Sequence, residues 1–432
     1  MKIVGKGNDG YVNRPARGIV NVPAALRDRA ERNVRRRRTV NLLVGLLVPA
    51  IVLTVFLSVI CDARSLGTDS VGNTDGAYGV VLADIEGLTE ANPRIVDIAM
   101  LGAHDANTFS LAIDNGVDHI AADGILGKIF PVSAGLQYRF AVTQAVSPYT
   151  LLMQGARFLQ FKFSLENGVW RATHNVLGRE LEKDVLDVLR FLDEHPGEVV
   201  LLLFQCTNEE ENNADCPLFD EWLAGVEYRG KNLYDYAEIY VGDDALADDG
   251  SLSETRTDIT DLTYNDVTDG GKQAGIVLLQ RYAELYGKNE YTRYFYDMDA
   301  NALHRWHSRI GCSVLIDEID DYATDLTEMR AYRFGLRVNQ TQAAFAGATF
   351  GDILRDIGEW SLLKFASKYN VELLENENFS DWLKAMPIFQ VDFANSDYGD
   401  FNNRVNGAIR ARNEEVVRIL LGEGATVADL YK

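Results

Sequence analysis

From 199 to 204 the chain reads Val-Val-Leu-Leu-Leu-Phe, six apolar residues between Glu198 and Gln205. A strand with one wet face alternates apolar and polar residues. A short unbroken apolar run instead suits a strand covered on both faces, which is the situation in parallel sheets flanked by helices. The neighbouring sequence supplies the cover. Leu181, Val185, Val188, Leu189 and Leu192 recur at helical spacing and stop near His195-Pro196-Gly197. Runs at 95–101, 156–163, 169–174, 276–279, 314–316 and 388–391 predict further strands. The stretches 303–309, 350–369 and 404–421 predict helices, and no internal repeat is present. Strands alternating with helices over residues 91–432 predict an α/β chain, one elaborated (β/α) barrel of the TIM type. Residues 205–275 are acidic and turn-rich, as barrel insertions are. Their acidic runs read as a solvated face, with a calcium site as the alternative.

Charge separates an N-terminal part from this body. Residues 1–39 carry 11 Lys and Arg against 3 Asp and Glu, a net of +8, which leaves −30 for the rest of a chain whose total is −22. So acidic a body excludes a nucleic-acid partner, since phosphate backbones need a basic surface. Residues 40–60, VNLLVGLLVPAIVLTVFLSVI, hold no charge and follow Arg35-Arg36-Arg37-Arg38. About 20 apolar residues span a bilayer as a helix, and the arginines place the preceding arm on the cytoplasmic side. The expectation is a single-pass membrane protein. It has a basic cytoplasmic arm (1–39), a transmembrane helix (40–60), a Gly/Ser/Asp/Asn-rich linker (61–90) and an extracytoplasmic barrel (91–432). A cleaved signal peptide is the competing reading, against which stand the long leader and the missing small-x-small site. Cys206 and Cys216 flank a polar loop. They read as a disulfide in an oxidising compartment or as two unrelated thiols. No Cys or His group has zinc spacing, so no metal and no cofactor is expected.

The chemistry-bearing residues sit at predicted strand ends, where barrel enzymes gather their sites. His104-Asp105 follows an apolar run and a Gly102-Ala103 step. His174 ends the segment Trp170-Arg171-Ala172-Thr173. Two histidines at neighbouring strand ends form a candidate general base and general acid. His195 reads as a helix end, His119 as a polar loop residue, and His304 and His307 as helical.

Four blocks in order carry a resemblance: MLGAHDANTF, GARFLQFKF, ATHNVLG and VLDVLRFLDEHPGEVVLLLF. Together they resemble the X region of phosphatidylinositol-specific phospholipase C, particularly the bacterial type. The resemblance implies a distorted barrel that cleaves a phosphodiester, with phosphatidylinositol or another phosphodiester lipid head group, at a membrane, as its partner. It implies His104 as base on the inositol 2-hydroxyl, His174 as acid on the leaving oxygen, and Asp105 in orientation and proton handling. A later carboxylate often partners the first histidine in this family. Asp392 is the candidate, with a plain strand-end cap as the alternative.

The strand 156–163 departs from the family pattern. Gln160 stands where an acid is usual. Lys162 stands where bacterial members have Arg and calcium-dependent members an acidic ligand. A cation there can stabilise phosphoryl charge and disfavours calcium, which wants oxygen ligands. Lysine lacks arginine's bidentate fork. Lys162, Gln160 and Arg157 are the candidate substrate-binding residues, Arg157 with a competing role in supporting the strand. Tyr282 and Tyr296 are candidates to stack on a sugar. The two departures motivate a second function: a catalytically weakened barrel acting as a head-group-binding or scaffold protein. A glycerophosphodiester phosphodiesterase is disfavoured, because His104-Asp105-Ala106 is not that family's His-Arg-Gly opening.

Overall fold

The computed structural model describes residues 35, 44–51, 78–123, 128, 134–206, 218–241, 257–281, 289–307, 312–342 and 362–431. The chain divides into two units, Met1–Ser58 and Val59–Lys432. In the first, residues 44–51 are helical and exposed. The remainder of the expected span 40–60 lies outside the described residues, among which no helix is long and apolar enough to cross a membrane.

The second unit is built on one ten-stranded sheet. Its strands are β1 (Met100–Ala103), β2 (Ala156–Glu166), β3 (Val169–His174), β4 (Val176–Glu180), β5 (Val199–Cys206), β6 (Gly275–Gln280), β7 (Phe295–Asp297), β8 (Ala302–Trp306), β9 (Leu336–Gln340) and β10 (Ile388–Val391). The path runs β7-β6-β5-β2-β1-β10-β9-β8, every neighbouring pair parallel. β3 and β4 hang from β2 as antiparallel additions. This curled parallel sheet with helical crossovers is of the distorted (β/α)-barrel type. The run 199–204 is buried along its whole length, as its unbroken apolarity requires. The helix Leu181–Glu194 covers it with Val185, Val188, Leu189 and Leu192.

Three expected elements differ. Residues 314–316, expected as a strand, lie inside the helix Cys312–Glu328. Leu315, Ile319, Ala323 and Leu326 share its buried face, a spacing of three and four that outweighs the short apolar run. Of residues 303–309, expected as a helix, 303–306 belong to β8, paired with β9, and 308 and 309 lie outside the described residues. His304 and Arg305 therefore stand on a strand. The expected strand 95–101 begins as a 3-10 turn, Ile95–Asp97, because Asp97 folds back to accept from Arg94 Nε at 2.7 Å. β9 had no counterpart in the sequence reading. Of the expected helix 350–369, the structure describes Leu362–Leu374.

The last part of the expected linker is structural. Val81, Leu82, Ile85 and Leu88 are buried. Glu198 accepts from the backbone amides of Val81, Leu82 and Ala83 at 2.8–2.9 Å and from Arg157 Nε at 2.7 Å. The Arg157 guanidinium also donates to the carbonyls of Leu152, Ala156 and Gly79. Both side chains are at most 1% exposed. Removing one charge of such a pair strands the other in the core. Glu198→Gln is therefore expected to lower unfolding stability by about 3–5 kcal/mol, read by urea denaturation. A loss under about 1 kcal/mol would mean that the pair contributes little.

Candidate active site

His104 directly after β1, Lys162 within β2, His174 at the end of β3 and Asp392 directly after β10 come together. His104 follows β1 directly. Its Nδ1 lies 2.7 Å from Asp392 Oδ1, at the end of β10. The same ring's Nε2 lies 3.5 Å from Asp105 Oδ2. His174, the last residue of β3, has Nδ1 3.7 Å from that same Asp105 oxygen. One carboxylate thus stands between two imidazoles. Both histidines remain 22% exposed, whereas Asp105 and Asp392 are 1% and 2% exposed, so the rings face solvent and the carboxylates do not.

Several contacts hold this arrangement. Asp105 adopts φ +40°, a left-handed conformation that Asp tolerates better than most residues. Its carbonyl accepts from Thr108 N and from the Thr143 hydroxyl. Ala106 N donates to the Gln160 carbonyl at 2.6 Å. Asn107 Nδ2 donates to the Lys162 carbonyl and its Oδ1 accepts from Lys162 N. Gln144 Nε2 donates to the carbonyls of His104 and Val391, and its Oε1 accepts from Ala394 N. The turns after β1 and β10 are thereby tied to each other and to β2. Thr143 and Gln144 carry no periodic or motif signal that would have marked them in the sequence, whereas Asn107 lies within the first-histidine block.

The hydrogen bonds fix the tautomers. His174 Nδ1 lies 2.7 Å from the Ala141 carbonyl. A carbonyl only accepts, so that nitrogen carries hydrogen and Nε2 presents a lone pair. His104 Nδ1 donates to the Asp392 carboxylate, which leaves its Nε2 beside Asp105.

Charge sets the protonation preferences. Burial works to lower the His104 pKa, but Asp105 and Asp392 outweigh it and hold the ring above the ordinary histidine value. Burial works to raise Asp105, yet His104, Lys162, His174 and Arg281 hold it below the usual carboxylate value. Burial, and then the Lys162 ammonium, push His174 down to about 4 against the pull of Asp105. Asp392 is raised by burial, against His104. These groups titrate as a set, each proton affecting the next.

Lys162 Nζ makes no ion pair among the described residues and is half-buried in this mouth. Arg281 directly follows β6, anchored by its amide to the Phe204 carbonyl, and acts on Asp105 as a second cation. The sequence reading missed it. Its place at the end of an apolar run was the available signal. Gln160 lies below Lys162 on the same strand, buried among other amides. Arg157 is not in the site: it points away at the start of β2, spent on Glu198 and three carbonyls, which corrects its assignment to substrate. Tyr296 is buried with its hydroxyl on the Thr257 carbonyl, and so does not present a ring to a sugar. Tyr282, Cys216 and the pairing expected of Cys216 lie outside the described residues. Among the described residues no three His, Cys, Asp or Glu side chains gather as metal ligands.

Among solved structures, the chain is similar to the phosphatidylinositol-specific phospholipase C of Listeria monocytogenes, at 15% identity over 77% of this chain and 97% of that one, with a TM-score of 0.47. It is also similar to the Staphylococcus aureus enzyme carrying pentafluoro-Phe, at 16% identity over 73% of this chain and 93% of that one, with a TM-score of 0.47. A single-residue variant of the latter matches at 14% identity over 78% and 97%, with a TM-score of 0.49. No family model and no curated protein matches the chain.

Proposed function

We propose that this protein cleaves a phosphodiester, phosphatidylinositol or a related lipid, by histidine acid–base chemistry without calcium. The observation that carries the reading is the Asp105 carboxylate lying between the two imidazoles, with Asp392 behind the first. His104 Nε2 takes the proton of the inositol 2-hydroxyl as that oxygen attacks phosphorus. The bond from phosphorus to the glycerol oxygen breaks, and His174 Nε2 delivers a proton to the departing oxygen. A cyclic inositol phosphate and diacylglycerol result. Lys162 stabilises charge on the non-bridging phosphoryl oxygens, and Arg281, whose charge acts on Asp105, supports it. A lysine where a calcium ligand would otherwise stand favours the ammonium over the metal in this role. Residues 40–60 serve as the anchor that keeps the barrel at a lipid surface.

Membranes from cells making the full chain, washed with alkaline carbonate, are expected to release diacylglycerol from phosphatidylinositol vesicles in EDTA. Strict dependence on added calcium would overturn the metal-free mechanism. Activity recovered in the wash would overturn the anchor. No cleavage of any glycerophosphodiester by the solubilised chain would favour the scaffold function.

A further inference from the structure

The floor beneath the two histidines is a line of amides. Gln390 Nε2 donates to Gln160 Oε1 at 2.7 Å, and Gln160 Nε2 donates to Gln205 Oε1 at 2.7 Å. Gln390 and Gln160 are 0% and 4% exposed. The three residues stand on β10, β2 and β5, yet β10 and β2 are not neighbours, since β1 runs between them. The crossing happens at Gly102, which pairs with Gln390 on one side and with Phe158 on the other. A Cβ at Gly102 would lie 3.0 Å from both Cα and Cβ of Gln390 and 3.2 Å from the Phe158 ring. A side chain there would crowd Gln390 and Phe158 at the point where one amide reaches another over β1.

The ends of this line meet the site. Gln390 is two residues before Asp392, which directly follows β10. Gln160 is two residues before Lys162 and shares its face of β2. Gln205 pairs with Lys162 across β2 and β5. The Gln160 carbonyl also holds Ala106 N, directly after Asp105. Gln390 Oε1 has no hydrogen-bond partner. A buried carbonyl left unpaired is destabilising, so the Gln390 amide donates toward Gln160 at a cost in stability.

We propose that the amide bridge Gln390–Gln160–Gln205, passing over β1 at Gly102, positions the site by fixing the Asp392-bearing strand against the Lys162-bearing strand. Gln160 is then a positioning residue: it works with no charge, where an acid would add a carboxylate beneath Asp105. The identity of the reacting groups rests on the phosphodiester reading. The geometry of the bridge does not, and its test separates the two. Around His104 stand Asp392 from β10, Asp105 from the turn after β1, Lys162 from β2 and His174 from β3, with Arg281 from β6 acting on Asp105.

Gln160→Met keeps the side-chain length and breaks both links. Gln160→Glu still accepts from Gln390 Nε2 but brings a charge. For the full-length protein, kcat and KM on phosphatidylinositol vesicles and the NMR titration of both imidazoles are the readouts. Gln160→Met is expected to lower kcat about 10- to 100-fold with KM changed less than about threefold, the pattern of lost orientation rather than lost binding. Its His104 titration is expected to move toward the ordinary histidine value as Asp392 loosens. Gln160→Glu is expected to keep more of kcat and to move the His104 titration upward, because the added negative charge favours the imidazolium. Wild-type kcat together with an unmoved His104 titration in Gln160→Met overturns the bridge. Should that variant not fold, Gln205→Met cuts the outer link alone and is held to the same two readouts. A wild-type chain that cleaves no phosphodiester defeats the proposed function, while the His104 titration still decides the bridge.

Discussion

His104→Ala is expected to lower turnover of phosphatidylinositol by about 10²–10⁴-fold, the range that a positioned general base contributes. No neighbour can replace it. Asp392 is 2% exposed and its contact to the site runs through His104. Asp105 is held below the usual carboxylate value by surrounding cations, which makes it a weak base. The same geometry predicts how the reaction responds to pH. Two carboxylates hold a proton on His104, and the ring must lose it before it can act. kcat/KM should therefore rise with pH through a midpoint above about 6.5, the ordinary histidine value. Asp392→Asn removes one of those charges, so the midpoint should fall while the maximum rate drops. A His104→Ala protein within threefold of wild type, measured in EDTA, would remove this residue from the mechanism.

The two histidines were legible as residues at predicted strand ends, but only His104 follows an apolar run into a parallel strand; His174 ends β3, an antiparallel addition to β2. The partnership of Asp392 with His104 is different. Those residues are 288 positions apart, and only the adjacency of β1 and β10 joins them. The sequence left Asp392 open between partner and cap; its carboxylate lies 2.7 Å from His104 Nδ1. Gln160 was legible as a departure and opaque in meaning. A single glutamine reads as a lost charge, whereas three on three strands, reaching across a glycine, form a connected floor. Arg157 was misplaced for a related reason. Its position in a strand near the site was readable, but its direction depends on which face of β2 looks inward. Glu198, 41 residues later, holds it on the other one. Residues 303–306 and 314–316 were exchanged between helix and strand because each is too short for periodicity to settle. Pairing with β9 and packing of the Leu315 face decided them instead.

Lys162→Met is expected to cost about 10²–10³ in turnover, the range for removing one preorganised group that meets developing charge. Its second consequence concerns the acid. His174 sits near 4 in the free protein, with burial first and Lys162 next among the causes. At pH 7 only about one ring in a thousand is then protonated, which is a poor starting point for a proton donor. An anionic phosphodiester seated on Lys162 changes this balance. It offsets the ammonium and adds negative charge near the ring, and both effects favour the imidazolium. Binding of substrate and loading of the acid are then one coupled event, and linkage makes the coupling reciprocal. Inositol 1-phosphate should accordingly raise the His174 titration in the wild-type protein and bind with proton uptake near neutral pH. In Lys162→Met the free protein's His174 titration should already lie above its wild-type position, and the ligand should move it less. Lys162→Arg keeps the charge and adds a bidentate fork. It should leave His174 low and match or exceed the wild-type rate. If Lys162→Met leaves the His174 titration where it was, the ammonium is not what empties the acid. The low proton affinity would then belong to burial alone, and the substrate would have to load the acid by excluding water rather than by meeting Lys162.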